Sequence, residues 1–271
     1  MLLKKRKENQ SLFLNGCKKI LFVLFFCLPF SFAKQIPEIT LSLDLPLGIV
    51  SAGVAVSGSI VLKQTEIKEL KDKDKLLPWD KPFAGTHSES ADFASDILNG
   101  SLVFPFLIST VSFFKEDASR QEFLSILCMY TEALALQSGI NLLVRSLQIS
   151  PRPYLYSENA DEEKIKGEAF GSFYSGHVSA AWTSAVFTSW TFKKLYPESK
   201  FIPVVNVASF GIAAAVGVLR VKAGKHYPTD VVVGALAGAG IALGVIQLHE
   251  WKSSKINLAV LPGYIGVVSD F

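Results

Sequence analysis

The sequence predicts an all-α protein, an antiparallel bundle of about six helices embedded in a membrane. Three observations predict it. Nearly half of the 271 residues are hydrophobic (49%), and the charged residues (19%) are excluded from long stretches instead of being interleaved with apolar ones. Apolar segments recur at 45–62, 97–114, 123–144, 178–195, 201–218 and 231–248, each near the roughly 20 residues a bilayer-spanning helix needs. Neither strand alternation nor a fixed-period repeat runs through these segments.

Taken in order, residues 1–33 predict a targeting segment, either a cleaved signal peptide or an N-terminal anchor. Lys4-Lys5-Arg6-Lys7 and Lys18-Lys19 supply a basic region, Ile20 to Phe32 a short apolar run, and Ser31-Phe-Ala33 a small-x-small cleavage site. The run is shorter than a spanning helix, which favours cleavage after Ala33. This segment holds six Lys/Arg and one Glu, a net +5, so with +3 for the whole chain the remainder carries −2. The basic balance therefore belongs to targeting, gives no support for nucleic-acid binding, and no nucleic-acid partner is expected. Cys17 and Cys27 lie in the same segment, leaving Cys128 alone after cleavage, so no intrachain disulfide is expected.

Residues 34–95 divide into a glycine-containing apolar segment, Leu45 to Leu62, and a polar connector, Lys63 to Ser95, whose first part predicts a solvated helix and whose second part predicts a loop. His87 in that loop is expected to be exposed and inert. Residues 96–250 form the helical core, with turns at Pro197 and Ala223-Gly224. The last helix carries Gly234-xxx-Gly238 and Gly240-xxx-Gly244, ridges of small residues that let helices approach closely. Asn99, Glu132, Gln137 and Asn141 fall inside apolar segments and need partners if these lie in lipid. The tail, 251–271, alternates weakly and is expected to be a short strand, a membrane-associating tail or, first of these, an ordered segment packed on the bundle.

Three stretches carry chemistry. Arg220, His226 and Asp230 occur as Arg-x5-His-x3-Asp ahead of the last apolar helix. His226 and Asp230 are four apart, so on a helical turn the carboxylate is expected to hydrogen-bond one ring nitrogen and leave the other free. Arg145 and Arg152 end an earlier apolar segment as Arg-x6-Arg-Pro, and Gly171-Ser-Phe-Tyr-Ser175-Gly176-His177 opens another helix, where free backbone N–H groups attract anions. Three arginines, two histidines and a helix N-terminus are an inventory for holding and transferring a phosphoryl group without a metal.

In order and spacing, these stretches resemble the three signature motifs of the type-2 phosphatidic acid phosphatase superfamily. That group also includes bacterial class A acid phosphatases and vanadium haloperoxidases. The family pattern is Lys-x6-Arg-Pro, Pro-Ser-Gly-His and Ser-Arg-x5-His-x3-Asp. Here Arg145, Tyr174 and Leu219 replace the usual Lys, Pro and Ser, and every other motif residue is kept. The resemblance spans about residues 95–248 and implies that family's helical bundle. It implies His226 as nucleophile, Asp230 as its orienting carboxylate and His177 as general acid and base. It implies Arg145, Arg152, Arg220, Ser175 and the Gly176 amide as the phosphate cradle, with no metal and no cofactor.

The expected activity is hydrolysis of a phosphate monoester or diphosphate of a membrane lipid through a phosphohistidine. The expected partners are a phosphorylated lipid, or another phosphate ester, and the membrane. The expected location is a bacterial inner membrane with the site facing the periplasm. A soluble periplasmic acid phosphatase, a vanadate-dependent haloperoxidase and a catalytically degenerate membrane protein are the alternatives. Crossing parity adds a condition: if the segments beginning at 20, 45, 97 and 123 all cross from an inside N-terminus, Arg145 emerges in the cytoplasm. A periplasmic site requires that one of them not cross, and the glycine-rich 45–62 segment is the expected exception.

Overall fold

A computed structural model describes residues 35–65, 70, 72–157, 167–253, 256–261 and 264–269; the targeting segment 1–33 and the acidic stretch 158–166 lie outside the described residues. The helices are α1 (Leu41–Gln64), α2 (Glu89–Asn99), α3 (Phe104–Phe114), α4 (Arg120–Ser146), α5 (Gly176–Leu195), α6 (Ile202–Lys222) and α7 (Pro228–Ser253). A short 3-10 turn, Gly100–Val103, joins α2 to α3, so the two make a single pass. Among the described residues the architecture is the expected all-α bundle, with six helical passes.

Local sequence sets the helix starts. Ser119 and Glu122 form a capping box at α4, each side chain taking a backbone N–H that the first turn leaves unpaired. Ser88 accepts from the Ala91 amide at α2, and Ser175 accepts from the Val178 amide at α5. Pro105, Pro203 and Pro228 stand in the first turns of α3, α6 and α7, where a missing N–H costs nothing.

Helix α5 is the centre, with Val178, Ala181, Phe187 and Trp190 buried against α4, α6 and α7. Its contact with α7 is backbone to backbone: a Cβ at Gly238 would stand 2.0 Å from the Ser179 carbonyl oxygen, and one at Gly234 would stand 2.7 Å from that of Ser175. The first small-residue ridge therefore works as expected. The second does not: a Cβ at Gly240 or Gly244 would meet nothing within 4 Å.

Passes alternate in direction. Asp92 in α2 meets Arg220 at the end of α6, while at the opposite end Tyr196 after α5 meets Ser112 in α3, and Lys194 in α5 meets Glu250 in α7. Helix α1 runs parallel to α4, since Asp44 lies by Cys128 and a Cβ at Gly58 would stand 2.7 Å from the Gly139 carbonyl oxygen. The 45–62 segment is thus a full-length helix seated on α4, long and apolar enough to cross a bilayer. Gly58, facing Gly139 of α4, lets it dock closely, whereas a Cβ at Gly48 or Gly53 would meet nothing within 4 Å.

Among the described residues, five segments are long and apolar enough to cross a bilayer: Ser42–Gln64, Glu89–Phe114, Arg120–Ser146, Ile202–Lys222 and Pro228–Lys252. Their outward faces expose Ile49, Val56, Phe93, Leu107, Val204, Val207 and Leu236, so an apolar surface surrounds the bundle as lipid requires. Two of the polar residues inside these segments find partners. The Asn141 side-chain amide donates to the Tyr174 carbonyl oxygen at 2.7 Å, and that of Gln137 to the Ser138 hydroxyl at 3.1 Å.

The connector does not stay a loop to Ser95, because α2 already starts at Glu89 and brings Asp92 and Asp96 to the end of the bundle. His87 is exposed, as expected. The tail is two strands, not one, pairing antiparallel as β1 (Ile256–Leu261) and β2 (Tyr264–Ser269).

Candidate active site

All three motif stretches come to one end of the bundle, at the C-termini of α4 and α6 and the N-termini of α5 and α7. Backbone bonds tie them together. The Ser175 amide donates to the Asp230 carbonyl oxygen (3.1 Å), the Tyr154 amide to that of Gly224 (3.0 Å), and the Gly85 amide to that of Pro153 (2.7 Å). Gly224 has φ +72°, and a Cβ there would lie 1.7 Å from the Thr86 carbonyl oxygen, so only glycine lets the connector close over the last motif. Trp79 donates to the Thr229 hydroxyl at 2.8 Å, and Asp80 accepts from the Thr229 amide at 3.2 Å, fixing the connector on the start of α7.

His226 is 2% exposed and its Nδ1–H donates to the Ser172 carbonyl oxygen at 2.8 Å. That bond sets the tautomer and leaves Nε2 with its lone pair. Asp230 does not supply it, because its Oδ2 is 3.8 Å from Nδ1. The same oxygen instead accepts from the Ser172 hydroxyl (2.5 Å) and the Tyr227 amide (2.9 Å). The expected direct His–Asp bond is thus replaced by an arrangement through Ser172, whose carbonyl holds the imidazole and whose hydroxyl holds the carboxylate. Burial, with Arg152 and Arg220 close by, pushes the His226 imidazole well below its ordinary range and keeps it neutral.

The arginines surround this group. Arg145 donates from Nε to the Gly171 carbonyl oxygen at 3.1 Å, and a Cβ at Gly171 would stand 2.7 Å from the Arg145 carbonyl oxygen, so the first two motifs are packed backbone on backbone. The Nε of Arg152 is buried without a hydrogen-bond partner, as is that of Arg220. Arg220 Nη1 donates to Asp92 Oδ1 at 2.7 Å and reaches Asp96 Oδ1 at 3.4 Å. Lys225 Nζ also reaches Asp92, at 2.9 Å.

His177, in the first turn of α5, is half-exposed and its Nε2 lies 3.1 Å from Asp96 Oδ1. Ser175 is fully buried as the N-cap, and a Cβ at Gly176 would be 2.6 Å from Asn141 Oδ1. All eight expected residues, Arg145, Arg152, Ser175, Gly176, His177, Arg220, His226 and Asp230, therefore meet around one site. The sequence did not mark Ser172, Asp92 or Asp96. Ser172 stands inside a motif stretch and was legible as a spare hydroxyl, whereas the two aspartates come from outside any motif.

Two histidines and three arginines thus gather at one end of an apolar bundle, a set of groups able to bind an anion. Residues 126–254 match the family profile of the PAP2 superfamily. No curated protein matches the chain. Among solved structures, one is described as the first transmembrane PAP2 type phosphatidylglycerolphosphate phosphatase from Bacillus subtilis. It is similar at 18% identity over 79% of this chain and 98% of that chain, with a TM-score of 0.44. A likeness that distant carries no argument about substrate.

Proposed function

We propose that the protein hydrolyses a phosphate monoester or diphosphate of a membrane lipid through a phosphohistidine at His226. The observation that carries this reading is a neutral, buried imidazole held through Nδ1, with three arginines around it, at the end of a bundle whose outer faces are apolar. A soluble ester needs no such surface; a phosphate on an acyl or prenyl chain does.

In the proposed reaction Nε2 of His226 attacks phosphorus and an N–P bond forms as the P–O bond to the lipid breaks. The leaving oxygen takes its proton from His177. Water then attacks phosphorus, its proton passes to His177, and the N–P bond breaks to release phosphate. Arg145, Arg152, Arg220, the Ser175 hydroxyl and the Gly176 amide hold the equatorial oxygens, whose charge grows in the transition state. Asp230 balances the positive charge His226 gains when phosphorylated.

Asp96 supports the location of the phosphoryl group. Its carboxylate accepts from both Arg220 and His177, so an anion already stands between the cation and the acid (3.4 and 3.1 Å). Entry of a phosphate displaces it. The chemistry needs no metal in this reading, because guanidinium groups do the charge stabilisation.

The proposed location is the inner membrane with the site toward the periplasm. Six alternating passes put the site on the side opposite residue 35, so a periplasmic site requires residue 35 to start in the cytoplasm. Export of Lys34 by signal cleavage and a periplasm-facing site then exclude one another.

The test is phosphate release by detergent-solubilised protein from phosphatidic acid in mixed micelles and from p-nitrophenyl phosphate, with His226→Ala as control. Preferential turnover of the lipid supports the proposal. Equal or better turnover of the soluble ester contradicts the lipid assignment, and activity retained in His226→Ala contradicts the nucleophile.

A further inference from the structure

At the end of the bundle away from the motifs, three passes bring four metal-ligating side chains together. Asp44 lies in the first turn of α1, Cys128 and Glu132 one turn apart in α4, and His249 near the end of α7. His249 Nε2 is 3.1 Å from Asp44 Oδ1 and 3.3 Å from Glu132 Oε2. Cys128 Sγ is 3.7 Å from Asp44 Oδ1 and 3.7 Å from Glu132 Oε1. His249, Glu132 and Asp44 are 2%, 5% and 7% exposed, and Cys128 is half-buried.

This cluster has unmet bonding capacity. His249 Nδ1 lies 2.8 Å from the Val245 carbonyl oxygen, an acceptor, so Nδ1 carries a proton. In the neutral ring Nε2 then bears a lone pair that faces two carboxylates. In the charged ring its single N–H serves Asp44, and Glu132 Oε2 remains buried with no hydrogen-bond partner. Two carboxylates and one proton leave an acceptor stranded in an apolar interior, an arrangement that is costly in lipid.

A cation resolves it. Ligand bonds of about 2.0 Å to oxygen and nitrogen and about 2.3 Å to sulfur give a tetrahedron with edges of roughly 3.3 to 3.5 Å. The 3.1 and 3.3 Å separations of His249 from the two carboxylates lie near those edges, and the donor atoms of Asp44, Cys128 and Glu132 lie within 4.8 Å of one another. The Nδ1–H to carbonyl bond is the usual outer support of a metal-bound histidine, fixing the ring with Nε2 outward. Mixed nitrogen, oxygen and sulfur donors suit zinc, whereas magnesium and calcium take oxygen alone.

We propose that Asp44, Cys128, Glu132 and His249 form a structural zinc site that clamps α1 and α7 to α4, separate from the phosphatase centre. Binding releases the Cys128 thiol proton to solvent as the thiolate coordinates the metal. The half-buried Cys128 is the side from which the ion enters.

The test uses full-length protein purified through a tag without histidines from zinc-supplemented cells, with metal measured by mass spectrometry. The expected content is about one zinc per chain in the wild type, falling at least about fivefold in Cys128→Ser and His249→Gln. Cobalt exchanged into the wild type is expected to give the visible bands of a tetrahedral ion together with a thiolate charge-transfer band, and Cys128→Ser is expected to abolish the latter. Folded wild-type protein that carries no metal after supplementation and shows no cobalt spectrum overturns the proposal, and the cluster is then closed by a protonated His249. Cys128→Ser is a small change, so a folding failure of His249→Gln leaves the conclusion decided by it.

Discussion

Ser172→Ala tests how the nucleophile is held. The substitution leaves the backbone carbonyl that accepts from His226 Nδ1 but removes the hydroxyl that donates to Asp230 Oδ2 at 2.5 Å. Asp230 keeps the Tyr227 amide, so the carboxylate loses one of two buried donors. A hydrogen bond to a charged group is worth about 1.5–3 kcal/mol. If the whole of it is felt when positive charge develops on His226, kcat falls about 10- to 150-fold. Ser172 is a positioning residue in this account and touches no substrate, so KM stays near the wild-type value. The assay is steady-state phosphate release in mixed micelles, with thermal unfolding run alongside. A kcat within about twofold of wild type, or a loss carried entirely by KM, refutes the reasoning.

Stability should fall as pH drops below about 6.5, because the unfolded chain then protonates His226 while the folded chain resists it. The neutral imidazole's contribution is complete above that value, and His226→Asn should flatten this part of the Tm-against-pH curve. Gly238→Ala should destabilise by about 1–3 kcal/mol through overpacking against Ser179. Gly240→Ala, with nothing within 4 Å, should be neutral or stabilising by up to about 1 kcal/mol; equal Tm shifts for the two would contradict the close α5–α7 contact. EDTA should lower Tm by emptying the clamp among α1, α4 and α7 while leaving the initial rate intact, and orthovanadate should inhibit competitively. Immediate loss of rate in EDTA, restored by added metal, would refute the metal-free chemistry.

The bundle and the gathering of the motif residues at one of its ends were legible because both are written locally. Arg145, Arg152, His177, Arg220 and His226 stand where apolar segments stop or start, so sequence spacing alone puts each at a helix end. What decides how they work is tertiary. The i,i+4 spacing of His226 and Asp230 promised a direct bond, but a carboxylate oxygen has room for few donors, and Ser172 and the Tyr227 amide claim it. Asp92 and Asp96 sit in no motif and reach the site only because α2 folds back onto α6. The 45–62 segment was expected to be the one that fails to cross, since glycine lowers helix propensity; it is long and apolar enough to cross, and its close approach to Gly139 depends on a partner 81 residues beyond Gly58. Glu132 was visible as a costly polar residue in an apolar stretch, but its companions Asp44 and His249 come from passes far away in the chain.

The central claim is that His226 carries the phosphoryl group. Enzyme mixed with substrate bearing a labelled phosphate, quenched within milliseconds under alkaline denaturing conditions and mapped by mass spectrometry, tests it directly. The account predicts an acid-labile, alkali-stable label on His226, accumulating further in His177→Ala if water attack is slowed and absent from His226→Asn. Label on a serine or aspartate, or turnover with no labelled protein at any time point, would contradict it.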